Sequence, residues 1–380
     1  MRRNPIRLSA LIVGMLLLTI FFFGVGGESG IASQIQRAAA STEGLGGSEI
    51  SVHFLSTSGT SESQPWTEEE LLAAKPYPLE RMAGEPAVSL ETAMPDGNPV
   101  VIPGSPPKGT NQVIATNPDS ITLSNAAPLG FSEHPPYIRY ENFDSYTEYP
   151  YSTVGILIFE QGGSIYQCSA ASIGNNAIWT AGHCIHGGGE EKVMSTELWF
   201  APAYRKDNNN NPIAPFGWWR AFAVLTHQEW EMNADLRYDI GGAVLELNNE
   251  GKKISEVVKS LGFAANLDNN RHWFNIGYPA DSPFDGRTQQ ICTAPFAFND
   301  NPTGNPKIQD DLTIGIGCDM TAGSSGGPWI VNFSGDAGSA NYLNGNNSYR
   351  YSEDPEEMFS PYFGNAAQNL YDELISIASP

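Results

Sequence analysis

Apolar residues in this 380-residue chain come mostly in short bursts separated by turn-forming residues, not in long helical periods. Runs rich in β-branched and aromatic side chains recur at 154–159, 165–173, 177–180, 198–203, 221–226, 240–247, 273–278, 289–294, 312–318, 329–333 and 342–349. Gly, Asn, Pro and Asp lie between them. This pattern predicts short strands joined by turns, and therefore an all-β sandwich or barrel. A parallel α/β sheet would need a helix between successive strands, and only 254–261 reads as helical within this region. At the end of the chain Phe363, Ala367, Leu370, Leu374 and Ile377 recur at three- and four-residue steps, which predicts a short amphipathic helix.

The first third is different. Residues 28–139 are rich in Ser, Thr, Gly and Pro, and Pro76, Pro78, Pro95, Pro99, Pro103, Pro106 and Pro107 interrupt any regular element. One short helix is predicted at 67–72, with Thr67 as cap and Glu70 closing a capping box. Such a stretch is a spacer, or it is a propeptide if a protease follows. Ahead of it, Arg2, Arg3 and Arg7 precede an apolar run from Leu8 to Val25 and then small residues. This resembles a Sec-type signal peptide with a cleavage site at Gly30-Ile31-Ala32; the competing reading is a retained membrane anchor. The expected organisation is a signal peptide over 1–32, a largely irregular propeptide over 33–139 and a folded domain over 140–380.

Acidic side chains outnumber basic ones 42 to 20, for a formal charge of -22. A chain this acidic repels a phosphate backbone, so nucleic acid is not an expected partner. Only 16% of residues are charged, a profile that suits a secreted β protein. Export gives the four cysteines an oxidising compartment in which to pair.

The candidate chemistry centres on Cys318-Asp319-Met320-Thr321-Ala322-Gly323-Ser324-Ser325-Gly326-Gly327-Pro328-Trp329. Its glycines permit a sharp turn on which a serine hydroxyl can stand clear and amides can converge. Taken alone the motif is weak, because Gly and Ser are common loop residues. All six histidines, His53, His134, His183, His186, His227 and His272, precede Ser325. An α/β-hydrolase needs its histidine after both serine and acid, so that fold is excluded. The opposite order is available: His183 lies in Thr180-Ala181-Gly182-His183-Cys184, and Asp239 heads the apolar run Ile240-Gly241-Gly242-Ala243-Val244-Leu245.

These three blocks, in this order and spacing, resemble the signature segments of trypsin-like serine proteases over roughly residue 146 to the C-terminus. The resemblance implies two packed six-stranded antiparallel β-barrels followed by the C-terminal helix. It implies a nucleophile, Ser325, a base, His183, and an orienting acid, Asp239, with the amides of Gly323 and Ser325 as the oxyanion hole. It also implies a bridge beside the histidine, Cys168–Cys184, leaving Cys292–Cys318 as the second. No metal or organic cofactor is implied. A zinc site at His183, Cys184 and His186 is disfavoured by that bridge, and an Asn-rich turn explains 207–211 without calcium. Ser324 stands where the digestive members carry an aspartate that pairs with a new N-terminal amine. That departure is similar to the bacterial branch that includes the glutamyl endopeptidases.

Ser348 and Tyr349 are expected beside the substrate backbone. Asp319 lies six residues before Ser325, where trypsin carries the aspartate that selects Arg or Lys. No histidine follows Ser325, which counts against glutamate. The sequence therefore predicts a secreted serine endopeptidase, made as a preproenzyme, acting on protein or peptide substrates. Removal of its own propeptide at Arg139-Tyr140 would activate it. The alternatives are a catalytically silent binding protein on the same scaffold, and an esterase.

Overall fold

The computed structural model describes residues 49–55, 66–82, 95–105, 135–142, 144–207, 211–304, 313–334 and 341–379, with a few isolated positions between. The expected signal peptide lies outside the described residues. Among those described, no helix is long and apolar enough to cross a membrane.

The region read as largely irregular supplies five short strands among its described residues. These are β1 (Ile50–Phe54), β2 (Lys75–Pro76), β3 (Glu80–Met82), β4 (Val100–Ile102) and β5 (Ile138–Glu141). The predicted helix is present as α1 (Glu68–Leu72), with its capping box intact: Glu70 N donates to Thr67 Oγ1 at 3.2 Å and Thr67 N to Glu70 Oε2 at 2.8 Å.

The first barrel is built from β6 (Val154–Gln161), β7 (Ser164–Gly174), β8 (Ala177–Thr180) and β9 (Thr196–Pro202). A small hairpin, β10 (Arg205–Lys206) and β11 (Pro212–Ile213), leads to β12 (Trp219–His227) and β13 (Gly241–Leu245). The order β12–β13–β8–β7–β6–β9 closes on itself because β9 also pairs with β12, and a closed ring leaves no free edge. Alternate residues of β6 serve different cores. Leu157 and Phe159 fill the barrel interior, whereas Ile156 and Ile158 join the layer shared with the second barrel. Burial on both faces explains the nearly unbroken apolar run in the sequence.

After α2 (Gln228–Asn233) and α3 (Ile254–Val258) the second barrel begins. Its strands are β14 (Gly262–Ala265), β15 (His272–Gly277), β16 (Gln290–Asp300) and β17 (Thr313–Gly317), then β18 (Pro328–Val331), β19 (Tyr342–Asn346), β20 (Tyr349–Tyr351) and β21 (Glu357–Ser360). They are ordered β20–β21–β17–β16–β15–β18–β19–β14. The sheet differs from the expected antiparallel six in two ways. It is wider, and β14 pairs with β19 in parallel. Parallel neighbours need a long crossover, and four strands intervene in the chain between these two.

The upstream strands extend both barrels. β1 pairs antiparallel with β12, and β2 runs parallel to β7. β3 runs parallel to β20, β4 antiparallel to β14, and β5 antiparallel to β16. The predicted terminal helix, α4 (Asn365–Ala378), buries Ala367, Leu370, Leu374 and Ile377 as its spacing requires. Just before it, Phe363 lies 5.0 Å from Trp179 of the first barrel and 5.9 Å from Phe263 of the second. Tyr371 of α4 stacks on Phe263 at 4.3 Å. The helix therefore closes the seam between the barrels.

Candidate active site

His183 sits in the 3-10 turn Gly182–Cys184 that follows β8. The turn must come close to its neighbours: a Cβ on Gly182 would lie 2.8 Å from the Trp230 ring and 3.0 Å from Asp239 Oδ1. The disulfide Cys168–Cys184 ties the turn to β7. Asp239 follows the 3-10 turn Leu236–Tyr238 at the entry to β13. Its carboxylate takes three donors: His183 N to Oδ1 at 2.7 Å, His183 Nδ1–H to Oδ2 at 2.8 Å, and Ser348 Oγ–H to Oδ2 at 2.5 Å. His183, Asp239 and Ser348 are all fully buried. A carboxylate so placed fixes the imidazole with its proton on Nδ1 and turns Nε2 toward chemistry.

The turn carrying Ser325 is pinned from several sides. Ser169 N donates to Ser325 O at 2.7 Å, Ser169 Oγ to Gly323 O at 3.0 Å and Asn347 Nδ2 to Ser324 O at 3.0 Å. Gly323 adopts a φ of +91°, which favours glycine, and this conformation presents its amide to the cleft. Ser324 donates its hydroxyl to Thr321 O at 2.8 Å, a local hydrogen bond at the position where the digestive members carry an aspartate. Ser325 Oγ is buried and makes no hydrogen bond among the described residues. Such an orphaned hydroxyl is costly in a purely structural role.

The remaining predicted residues fall as follows. The second bridge is Cys292–Cys318, which lies at the end of β17, on the path into the turn that carries Ser325. Tyr349 begins β20, with its phenol turned inward to Asp300 at 2.6 Å; burial raises its pKa well above the usual value. Asp319 faces Arg139 of β5, whose Nε lies 2.9 and 3.0 Å from the two carboxylate oxygens. A carboxylate paired in this way is engaged before any basic substrate arrives. The sulfurs near His183 are consumed in a disulfide and so do not form a thiolate zinc site. His186 accepts from Gly188 N at 3.2 Å through Nδ1, and burial lowers its pKa. The Asp207 carboxylate is taken by the amides of Asn209 and Asn211, each at 2.8 Å.

One segment at the site was not anticipated. Tyr77 stacks on His183, with ring centroids 5.2 Å apart and planes 27° apart, and its phenol donates to Gln161 Oε1 at 2.7 Å. Its carbonyl accepts from Gly323 N at 3.2 Å. Trp230 meets the other side of His183 edge-on at 6.2 Å. The sequence signal for Tyr77 was slight: an aromatic between Pro76 and Pro78 in an otherwise polar region.

The trypsin family model matches residues 145–365, more than half of the chain. Among solved structures, the chain is similar to the protease Anisep from Arthrobacter nicotinovorans at 34% identity and a TM-score of 0.53, covering 64% of this chain and 100% of that one. It is similar to the thermostable serine protease AL20 from an extremophilic microorganism at 32% identity and a TM-score of 0.50, covering 58% of this chain and 97% of that one. A Glu endopeptidase matches at 15% identity and a TM-score of 0.48, over 67% of this chain and 100% of that one. A comparison with curated proteins gave no match. The chain belongs to the trypsin family and is a serine endopeptidase.

Proposed function

We propose that this endopeptidase cuts through an acyl-enzyme formed on Ser325, with His183 as the base and Asp239 as its orienting acid. The observation that carries this reading is the buried Asp239 carboxylate gripping both the backbone and the ring of His183, together with a buried Ser325 hydroxyl without a partner among the described residues. Ser325 attacks the scissile carbonyl while His183 takes its proton. The same proton then goes to the leaving amine. The amides of Gly323 and Ser325 receive the negative charge that develops on oxygen, a contribution of about 3 kcal/mol per donor. Ser348 supports Asp239, and the backbone of Ser348 and Tyr349 borders the acyl half of the substrate.

The enzyme is exported and made as a preproenzyme. Arg2, Arg3, Arg7 and the apolar run behind them support export, as do the two disulfides. We read residues from about 33 onward as a propeptide. The junction suggested by sequence, Arg139-Tyr140, falls inside β5, where four residues pair with β16 and Arg139 holds Asp319. Cutting there would require a paired strand to leave the sheet, which favours a cut on the N-terminal side of β5. With Asp319 so engaged, selection of Arg or Lys depends on whether Arg139 is lost.

Labelling with a fluorophosphonate tests the catalytic reading. Secreted, processed enzyme should label at Ser325 and lose the label in Ser325→Ala and His183→Ala; processed wild type that is folded but unlabelled would make this a binding protein on a protease scaffold. N-terminal sequencing of the secreted form tests the processing reading, which fails if active enzyme begins near Glu28.

A further inference from the structure

We infer that residues 75–82 occupy the substrate cleft in the direction opposite to a substrate, so that this segment is a ligand the enzyme holds but does not cut. The inference rests on reading the region as a propeptide. It goes further by specifying how the peptide binds and why it survives.

The direction follows from chemistry. In a productive complex the N-terminal half of the substrate becomes the acyl group on Ser325, and the C-terminal half leaves with the proton from His183. The acyl half therefore lies with the barrel that carries Ser325, along β20. The leaving half lies with the barrel that carries His183, along β7. Residues 75–82 reverse this order. Lys75 and Pro76 pair with Tyr166 and Gln167 of β7, and Tyr77 N donates to Gln167 O at 2.8 Å. Glu80, Arg81 and Met82 then pair with Tyr349, Arg350 and Tyr351 of β20. Both pairings are parallel.

Between the two pairings the segment occupies the catalytic groups. The Tyr77 carbonyl takes the Gly323 amide, one of the two donors assigned to the oxyanion, while its ring covers His183. The bond after Tyr77 leads to Pro78, whose ring nitrogen carries no hydrogen. Leu79 is 2% exposed and packs into the cluster that holds Cys318, Met320 and Met358, beside the nucleophile turn. Upstream, Trp66 and Leu71 fix α1 against the layer between the barrels. The segment is therefore a strand addition with two side-chain anchors, Tyr77 and Leu79.

Two measurements on the full-length chain test this. In the first, fluorophosphonate labelling of the uncut chain is compared with that of Tyr77→Ala/Leu79→Ala. Labelling scales with the fraction of open cleft, so the double variant should label about tenfold faster or more. Equal rates in two folded chains would overturn the inference. In the second, Pro78→Ala removes the imide without changing the direction of the strand. The peptide bond that follows Tyr77 should remain intact in this variant by mass spectrometry; cleavage there would mean that the strand runs forward and that proline alone protects it. A synthetic peptide spanning 66–82, added to secreted, processed enzyme, separates this inference from the processing reading and does not depend on any variant folding. Competitive inhibition with the peptide recovered whole supports the inference for any mature chain that begins after Met82. Peptide that fails to inhibit, or is consumed, overturns it.

Discussion

The two barrels share one cleft but treat buried acids in different ways. In the first, Asp239 lies under three donors, and burial raises the pKa of Glu246, an effect that Arg220 offsets only in part. In the second, Asp300 accepts the phenols of Tyr349 and Tyr351 at 2.6 and 2.8 Å. Glu357 meets other acids instead of a cation. Burial, then Asp354 and Asp300, push its carboxyl up to about 7. The barrel that carries His183 thus concentrates its donors on Asp239 and leaves both Glu246 oxygens without one among the described residues. The barrel that carries Ser325 holds its acids through phenols or, at Glu357, through a retained proton.

The sharpest way to break this contrast is Asp239→Asn, which keeps the shape and removes the charge. It should lower kcat/KM by about 10⁴-fold. A loss below about tenfold would place the orienting group elsewhere. Next come the bridges. Removing either pair as Cys→Ser should cost about 3 kcal/mol in urea unfolding. Loss of Cys168–Cys184 should also depress kcat in the protein that remains folded, because Cys184 adjoins His183. Comparable kcat losses from both pairs would erase the distinction between the barrels.

Glu357→Gln sharpens it further. At low pH the carboxyl is protonated in folded and unfolded chains alike. Between about pH 4.5 and about 7 the unfolded chain releases the proton while the folded chain keeps it, so stability falls as pH rises through this window. The glutamine variant should therefore gain up to about 3 kcal/mol over wild type at pH 8 and little at pH 4, read as the shift in Tm at each pH. A pH-independent difference would remove Glu357 from the contrast. The smallest expected effect is that of Ser348→Ala, which deletes one donor to Asp239 and should lower kcat about tenfold.

Much of this was legible in the sequence because it is local. The flanks of His183, Asp239 and Ser325 carry their turns with them, and α1 and α4 announce themselves by a capping box and by spacing. Strands β1 to β5 were not legible. Each is short, several contain or adjoin proline, and all are held by partners far along the chain, as Lys75 is by Tyr166 and Arg139 by Asp319. Propensity does not encode such pairings. Asp319 illustrates the same limit: its offset from Ser325 is visible in the sequence, whereas the guanidinium that engages it is 180 residues away.

The seam closed by α4 has a consequence for biosynthesis. The helix lies C-terminal to His183, Asp239 and Ser325, so a chain emerging from N- to C-terminus exposes these residues before the element that packs across their two barrels. Each barrel can begin to form as it emerges, and the packing of Tyr371 and Leu374 into the layer between them is added last. The order of residues along the chain thus makes the seam between the barrels the last part of the molecule to be supplied.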